Sequence, residues 1–259
     1  MSAVSSGWLE SQNEIRHSGL RYERLVGGCF DAEERLQDLK NIGYEGLERC
    51  TATSGDDLLY KAARCKRLGM DFGTCQGPSV ETSIRWTAAL GKRYVWTGVT
   101  GKDFDTFCRQ VNHQVEIASQ WGVEVGLHNH LGSPVESQRE LEEFLDRCPG
   151  CGLVFDTAHL AAADGDAVEI VEKYGDRLVA VHLKDWLVTD TEKGLDQWQQ
   201  RGRFCELGAG NIGLDNIAVM KAVVKSGFDG WVFVEHDTHL RDPLEDLKKS
   251  REYLRKGGF

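Results

Sequence analysis

Two histidines lie two positions apart at the end of one apolar segment of this sequence. The segment is VGLHNH, residues 125–130, and its histidines are His128 and His130. On a β-strand, side chains two residues apart point to the same face. Imidazole both ligates transition metals and exchanges protons near neutral pH. The segment therefore predicts a strand whose carboxyl end carries metal-binding or acid–base chemistry.

Three later apolar segments end in side chains of the same kind. Asp156 closes GLVFD, His182 lies near the end of LVAVHLK, and Glu235 closes WVFVE. Neighbouring parallel strands lie ~4.8 Å apart, so the ends of such strands can converge on one ion. Two imidazoles and two carboxylates suit Mn²⁺, Fe²⁺, Co²⁺ or Zn²⁺ better than Ca²⁺. We expect one divalent metal, Mn²⁺ by preference and Mg²⁺ as a further alternative. The predicted ligands are His128, Asp156, His182 and Glu235.

Other reactive side chains lie at or near the same strand ends. Glu235 is the preferred base, and His130 or His159 is the preferred acid, because an imidazole can donate or accept a proton at neutral pH. Lys184 shares the strand face of His182, where it is expected to act in catalysis or to form a salt bridge beside the strand ends. Glu48 is expected either to bind substrate hydroxyls or to cap a helix. The residues predicted to contact substrate are Glu48, Gln76, Trp96 and Asp185.

The elements that must position these residues alternate along the chain. Short segments rich in Val, Leu and Phe are separated by longer helical patterns, which is typical of parallel β/α units. The predicted strands are 22–28, 43–49, 70–76, 93–99, 123–129, 152–157, 178–184 and 231–236. Eight such units predict a single (β/α)8 TIM barrel, in which catalytic groups lie at the carboxyl ends of the strands.

A doubly wound open sheet is the alternative fold. GAGNIG, residues 208–213, resembles a dinucleotide-binding loop but does not follow a strand that ends in an apolar run, so the pattern is weak. We therefore expect one domain over residues 1–259. Residues 1–20 are predicted to be an N-terminal extension, and residues 187–213 a long loop over the active site.

Composition excludes several classes of function. The net charge is −10 among 259 residues, which disfavours a nucleic-acid partner. No apolar run approaches the ~18 residues of a membrane span. The N-terminus lacks the pattern of a signal peptide. Eight cysteines without such a signal indicate reduced thiols, and hence the cytoplasm. CPGC, residues 148–151, has redox or zinc spacing but no second pair, and we expect it to be inert.

Several motifs occur in the order found in one known family. They are FDTAHL, VHLKD, LGAGNIG and GWVFVEHD. With these motifs, essentially the whole chain resembles the xylose isomerase-like TIM-barrel superfamily of sugar isomerases, epimerases and inosose dehydratases. The resemblance implies a metal-dependent carbohydrate enzyme. It also implies that His159 contacts substrate or water.

One ligand departs from the epimerase pattern. The resemblance matches Asp156, His182 and Glu235 to ligands of the ketose epimerases, but these enzymes have a glutamate where this chain has His128. LHNHLGS is similar instead to the inosose dehydratase pattern. The epimerases use two metal-bound glutamates in a symmetric reaction. Because this chain has His128 in place of one of them, an asymmetric reaction with one base and a separate acid is favoured. The resemblance gives the ligand position to His128 and leaves His130 for catalysis or substrate contact, although a bend at the strand end would exchange them.

The expected function is therefore a lyase of the inosose dehydratase type that acts on a keto-cyclitol or keto-sugar. An aldose–ketose isomerase, a ketose 3-epimerase and the catalytic subunit of a C-glycoside deglycosidase are the alternatives. A metal-dependent abasic-site endonuclease shares the fold, but it needs a larger metal cluster and a basic groove. A homo-oligomer and a small partner subunit are both compatible with the sequence.

Overall fold

Parallel strands alternate with helices around a ring in the computed structural model, which describes residues 9–12, 32–98, 103–237 and 242–259. The strands are β1 (Leu9–Gln12), β2 (Gly46–Thr51), β3 (Asp71–Gln76), β4 (Tyr94–Trp96), β5 (Glu124–His128), β6 (Gly152–Asp156), β7 (Leu178–Leu183), β8 (Asp185–Val188), β9 (Gly202–Cys205) and β10 (Trp231–Glu235). The helices are α1 (Ala32–Ile42), α2 (Gly55–Arg67), α3 (Val80–Ala89), α4 (Phe104–Ser119), α5 (Gln138–Arg147), α6 (Thr157–Ala162), α7 (Ala167–Tyr174), α8 (Trp198–Arg201), α9 (Asn216–Lys225) and α10 (Pro243–Lys256). Among these described helices, none is long and apolar enough to cross a membrane.

Eight of the strands follow one another around the ring. Hydrogen-bonded pairing runs in the order β1-β10-β7-β6-β5-β4, and β2 pairs with β3. β1 lies beside β2, and β3 lies beside β4. At the β3–β4 junction the Thr74 hydroxyl donates a hydrogen bond to the carbonyl of Tyr94. The predicted (β/α)8 barrel is confirmed.

Bulky side chains fill the barrel interior, and they fit only where neighbouring strands carry small residues. All six residues of β7 are buried, as expected for a strand covered on both faces. Gly73 on β3 shows the constraint, because a Cβ there would lie 2.9 Å from the ring of Phe233 and 3.3 Å from the Tyr94 hydroxyl. The interior is therefore a packed core that holds the strand ends rigidly.

The N-terminal part of the barrel differs from the sequence prediction. Residues 9–12, predicted to lie in an extension, form β1 and pair in parallel with β10 from Leu9↔Val232 to Gln12↔Glu235. The sequence LESQ has only one apolar residue, so its pattern does not indicate a strand. The strand predicted at 22–28 lies outside the described residues.

The segment 187–213, predicted to be a long loop, contains regular structure. β8 and β9 form an antiparallel ribbon, and the short helix α8 begins at Trp198 between them. The Trp198 ring lies 5.7 Å from the ring of His130 and 6.0 Å from that of His159, centroid to centroid. The segment thus covers two of the predicted catalytic residues.

The CPGC segment lies at the opposite end of β6 from Asp156. The Cys148 thiol donates to the carbonyl of Cys108 at 3.7 Å, and the Cys151 thiol donates to that of Val125 at 3.2 Å. Burial raises the pKa of both thiols, that of Cys151 to about 12, so neither is a thiolate at neutral pH.

We predict that replacing Cys148 and Cys151 together with serine leaves metal content and turnover unchanged. The physical reason is that both thiols are protonated, buried and remote from the strand ends that carry the reactive groups. Elemental analysis and activity of the double variant check this. A large loss of activity with an unchanged circular dichroism spectrum would show a redox or zinc function.

Candidate metal centre

The four predicted ligands converge at the carboxyl ends of four adjacent strands. Asp156 on β6 is the register partner of His182 on β7, and Phe233 on β10 is the next partner of His182. Glu235 is two residues beyond Phe233 and therefore points to the same face. One ligand atom of each residue, including His128 on β5, lies within 4.8 Å of the others.

The spacing of the ligand atoms suits a small divalent ion. His182 Nδ1 lies 2.9 Å from Glu235 Oε2 and 3.1 Å from His128 Nε2. His128 Nε2 lies 3.3 Å from Asp156 Oδ2 and 3.8 Å from Glu235 Oε2. Two atoms that share a transition metal at ~2.1 Å each are separated by roughly 3 Å. The donor set and its geometry therefore fit a divalent transition metal.

Asp156 divides its two carboxylate oxygens between the backbone and the centre. Oδ1 accepts the backbone N–H of His159 at 2.9 Å and caps α6. Asn129 forms hydrogen bonds with both the backbone N–H and the backbone carbonyl of Asp156. These contacts fix the strand end and leave Oδ2 for the metal centre.

Glu48, predicted to bind substrate or to cap a helix, contacts one of the predicted metal ligands. Its Oε1 accepts hydrogen bonds from the Tyr94 hydroxyl at 2.8 Å and the Trp96 indole N–H at 2.6 Å. The same oxygen lies 3.2 Å from His182 Nε2, which therefore carries a proton. When the His182 ring is neutral, its one proton is on Nε2, and Nδ1 has a lone pair for a metal ion.

Replacing Glu48 with leucine is expected to weaken Mn²⁺ binding by roughly 10–100-fold, the range found for partners of metal-bound histidines. The Glu48→Gln variant keeps an oxygen that can accept from His182 Nε2, so it should retain most of the affinity. Titration of both variants with Mn²⁺ measures the difference. Equal losses in the two variants would mean that the charge of Glu48, and not its orienting hydrogen bond, supports the site.

A buried lysine lies beside the two carboxylate ligands. Lys184 Nζ is 2.9 Å from Glu235 Oε2, 3.1 Å from Asp156 Oδ2 and 2.9 Å from Asp237 Oδ2. Burial would raise the pKa values of Asp156 and Glu235, but the Lys184 ammonium, with neighbouring histidines, outweighs it and lowers both. Both carboxylates are therefore ionised and ready to bind a cation.

The affinity for Mn²⁺ should rise with pH. Burial alone would lower the pKa of His182, but the carboxylates of Glu48 and Glu235 outweigh it and raise the pKa to about 10 without a metal ion. A metal ion must then displace the proton on Nδ1, so affinity falls as pH falls below that pKa. We expect roughly tenfold tighter binding per pH unit between pH 6 and 8. Mn²⁺ titrations at pH 6.5 and 7.5 test this, and equal affinities would contradict it.

The predicted catalytic histidines form a second group next to the ligands. The rings of His130 and His159 lie 3.7 Å apart, and the His159 ring packs edge-on against Phe204 at 4.8 Å. Burial lowers the pKa of His159 to about 4, so its ring is neutral. Asp237 was missed by the sequence prediction although it follows Glu235 by two residues, in the EHD signature.

A cavity adjoins the centre at the ends of β3 and β4. It measures about 310 Å³, and its lining includes Gln76, Trp96 and Arg49. The Trp96 ring also stacks on the His128 ring at 4.5 Å, so one side chain borders both the cavity and the ligand cluster. Gln76 accepts a hydrogen bond from the Thr51 hydroxyl at 3.0 Å.

Asp185, predicted to contact substrate, binds backbone N–H groups instead. Its carboxylate accepts from the N–H groups of Trp186, Gly208 and Gly210 at 2.8, 2.9 and 3.2 Å. A Cβ on Gly210 would lie 1.9 Å from Asp185 Oδ1, which explains the glycine in the LGAGNIG motif. We therefore assign Asp185 to holding the loop after β9 against the start of β8.

Comparisons with known proteins agree with this architecture. A family model described as xylose isomerase-like TIM barrel matches residues 64–257. The inosose dehydratase of Lactiplantibacillus plantarum is 31% identical over 166 residues, which are 60% of this chain and 55% of that protein. The chain thus spans about half the length of the curated relatives it matches.

Solved structures share the fold at low sequence identity. The probable 3-DHS dehydratase involved in petrobactin synthesis from Bacillus anthracis has a TM-score of 0.71 at 13% identity, covering 96% of this chain and 98% of that chain. A sugar phosphate isomerase/epimerase from Parabacteroides distasonis has a TM-score of 0.70 at 16% identity, with the same coverage of 96% and 98%.

Proposed function

This chain belongs to the xylose isomerase-like TIM-barrel family, and on that premise we propose that it is a divalent-metal-dependent enzyme acting on a keto-sugar or keto-cyclitol. The reaction that we propose is loss of water through an enolate, as in an inosose dehydratase. Mn²⁺ is the metal that we favour, because the centre mixes imidazole and carboxylate donors.

The observation that carries this proposal is the asymmetry of the site. Two histidines and two carboxylates converge as ligands, and a second pair of histidines, His130 and His159, lies against them on one side. His128 stands where the resemblance places a glutamate in the ketose epimerases. One proton-transfer group beside one metal centre is the arrangement that an elimination needs, whereas epimerisation needs a base on each face of the substrate.

Different residues have different roles in the proposed elimination. A divalent ion held by His128, Asp156, His182 and Glu235 would supply Lewis acidity toward the substrate ketone. Lys184 forms ion pairs with Asp156 and Glu235, at 3.1 and 2.9 Å, and keeps both carboxylates ionised. The cavity beside Trp96 and Gln76 provides the space for the hydroxylated part of the substrate. The short helix α8, which begins at Trp198, covers the rings of His130 and His159.

Glu235 is less suited to be the base than the sequence suggested. Burial would raise the pKa of Glu235, but Lys184 and His182 outweigh burial and lower the pKa well below the usual range. A carboxylate with such a low pKa is a weak base and removes a proton from carbon slowly. His130 lies next to the centre, with its ring 5.7 Å from that of His128. We therefore assign proton transfer to His130 and metal binding to Glu235.

Incubation of the Mn²⁺-loaded protein with a panel of keto-cyclitols and ketoses tests the proposed function. Ultraviolet absorbance reports an unsaturated or diketone product, and mass spectrometry reports the loss of one water. The control is the protein treated with a chelator. A product of unchanged mass, formed from a ketose, would favour an isomerase or epimerase. Cleavage of a 3-keto-C-glycoside would favour a deglycosidase subunit.

A further inference from the structure

His130 and His159 form a second cluster with Asp237 that has the composition of a metal site. One ligand atom from each of the three lies within 4.8 Å of the others. His159 Nε2 is 3.8 Å from Asp237 Oδ2 and 3.4 Å from Lys184 Nζ. Whether this cluster binds metal or moves protons depends on which ring nitrogens carry hydrogen.

The peptide groups of one buried residue determine those positions. The Leu131 carbonyl lies 2.6 Å from His130 Nδ1, and the Leu131 N–H donates to His159 Nδ1 at 3.2 Å. A carbonyl only accepts hydrogen bonds and an amide N–H only donates them. His130 therefore carries a proton on Nδ1, whereas His159 Nδ1 offers a lone pair. Leu131 is 2% exposed, so water does not replace either contact.

The remaining nitrogens of the two rings are consequently opposite in character. Neutral His130 has a lone pair on Nε2, and neutral His159 has its proton on Nε2. Lys184 Nζ, which can only donate, lies 3.4 Å from the same nitrogen of His159. Carboxylate oxygens of Asp156, Glu235 and Asp237 lie nearer to Nζ, at 3.1, 2.9 and 2.9 Å, and a carboxylate is the stronger acceptor for an ammonium group. A protonated Nε2 on His159 is not a metal ligand, so the second cluster lacks one of its three donors.

We propose that the Leu131 peptide holds the two histidines in opposite tautomers, which makes His130 Nε2 the proton acceptor and His159 Nε2–H a fixed hydrogen-bond donor to a substrate oxygen. This inference rests on the proposed function for the identity of the reaction. The tautomers themselves do not depend on it. Leu131 is thus a positioning residue that acts through its backbone.

The proton balance of the proposed elimination follows from these assignments. A substrate C–H bond breaks, its proton moves to His130 Nε2, and the electron pair forms the enolate, whose oxygen accepts from His159 Nε2–H. The C–O bond of the neighbouring hydroxyl then breaks, and the departing oxygen takes the proton from His130. One C=C bond forms, one water leaves, and both histidines return to their starting tautomers.

Nitrogen-15 NMR of histidine-labelled protein reads the tautomers directly. Titrating the diamagnetic Mg²⁺-loaded protein around neutral pH, we expect an Nδ1–H form for His130 and an Nε2–H form for His159. An amide-to-ester replacement at Leu131 removes its N–H group, so His159 should become a mixture of tautomers while exposed His113 is unchanged. Finding the same tautomer on both rings of the unmodified protein would overturn the inference.

Matched substitutions test the two roles. A glutamine side chain can donate a hydrogen bond but cannot take a proton, so His159→Gln should stay within about tenfold of the parent rate, while His159→Leu should lose roughly 10²–10³-fold. His130→Gln should lose roughly 10²–10⁴-fold. All three variants should bind as much Mn²⁺ as the parent. Equal losses in His159→Gln and His159→Leu, or a second bound ion that disappears in His159→Gln, would overturn the inference.

Failure of the inference is distinguishable from failure of the proposed function. Opposite tautomers in a protein that dehydrates no keto substrate would refute the dehydratase reaction and leave the role of Leu131 intact. Dehydration by a protein whose two rings have the same tautomer would refute only the inference.

Discussion

Replacing His182 with alanine is expected to remove most of the bound metal and, with it, nearly all activity. His182 is the central member of the proposed ligand set, because its Nδ1 lies 2.9 Å from Glu235 Oε2 and 3.1 Å from His128 Nε2. The substitution also leaves the buried carboxylates of Glu48 and Glu235 without their shared partner. Elemental analysis of protein purified without chelator should show about one ion per parent chain and far less in the variant.

The control for this experiment is His113→Ala. His113 lies on α4 with a side chain that is 72% exposed, so its loss should change neither metal content nor activity. If His182→Ala keeps a full complement of metal and the parent rate, the assignment of the centre is wrong.

The second large effect is expected at His130, where catalysis and metal binding should separate. His130→Ala should keep the ion but lose roughly 10²–10⁴-fold in rate, the contribution of a general acid–base group. His128→Ala should first lower the affinity for the metal ion, because His128 Nε2 lies among the ligand atoms of Asp156 and His182. The structure thus favours the roles that the resemblance suggested, with His128 as the ligand and His130 as the catalytic residue.

Metal content and rate, measured side by side for the two variants, decide this assignment. Loss of metal in His130→Ala with retention in His128→Ala would exchange the two roles. The proposed elimination would then need a different proton acceptor, and Glu235 would be the remaining candidate.

The convergence of the ligands was predictable because it follows from strand periodicity. His128, Asp156, His182 and Glu235 each lie at or near the end of an apolar segment, and a parallel barrel brings such ends together. The segments themselves were recognisable because buried parallel strands are almost continuously apolar. Both features are local in the sequence.

What the sequence did not reveal depends on contacts between distant segments. Glu48 was a candidate for substrate contact, and only the structure shows its contacts with Tyr94, Trp96 and the predicted ligand His182. Asp185 faces the loop after β9 because the glycine at 210 allows the backbone to approach. The contacts of Glu48 with Tyr94 and of Asp185 with the loop after β9 join distant positions in the sequence, so no local pattern encodes them.

Backbone pairing explains the difference at the N-terminus. β1 joins the sheet through its peptide groups, which any sequence supplies, so LESQ gives no apolar pattern to recognise. The ribbon of β8 and β9 was similarly concealed within a polar segment. Trp186 and Phe204, whose rings lie 4.7 Å apart, pack together on its buried face.

Pulsed electron paramagnetic resonance of Mn²⁺ bound to the protein tests the central claim most directly, because it counts the histidine nitrogens on the ion. The account predicts coupling to two imidazole nitrogens in the parent protein, to one in His128→Ala and to two in His130→Ala. A spectrum of the parent without nitrogen coupling, or one in which His130→Ala loses a nitrogen while His128→Ala keeps both, would contradict the metal centre described for these four strand ends.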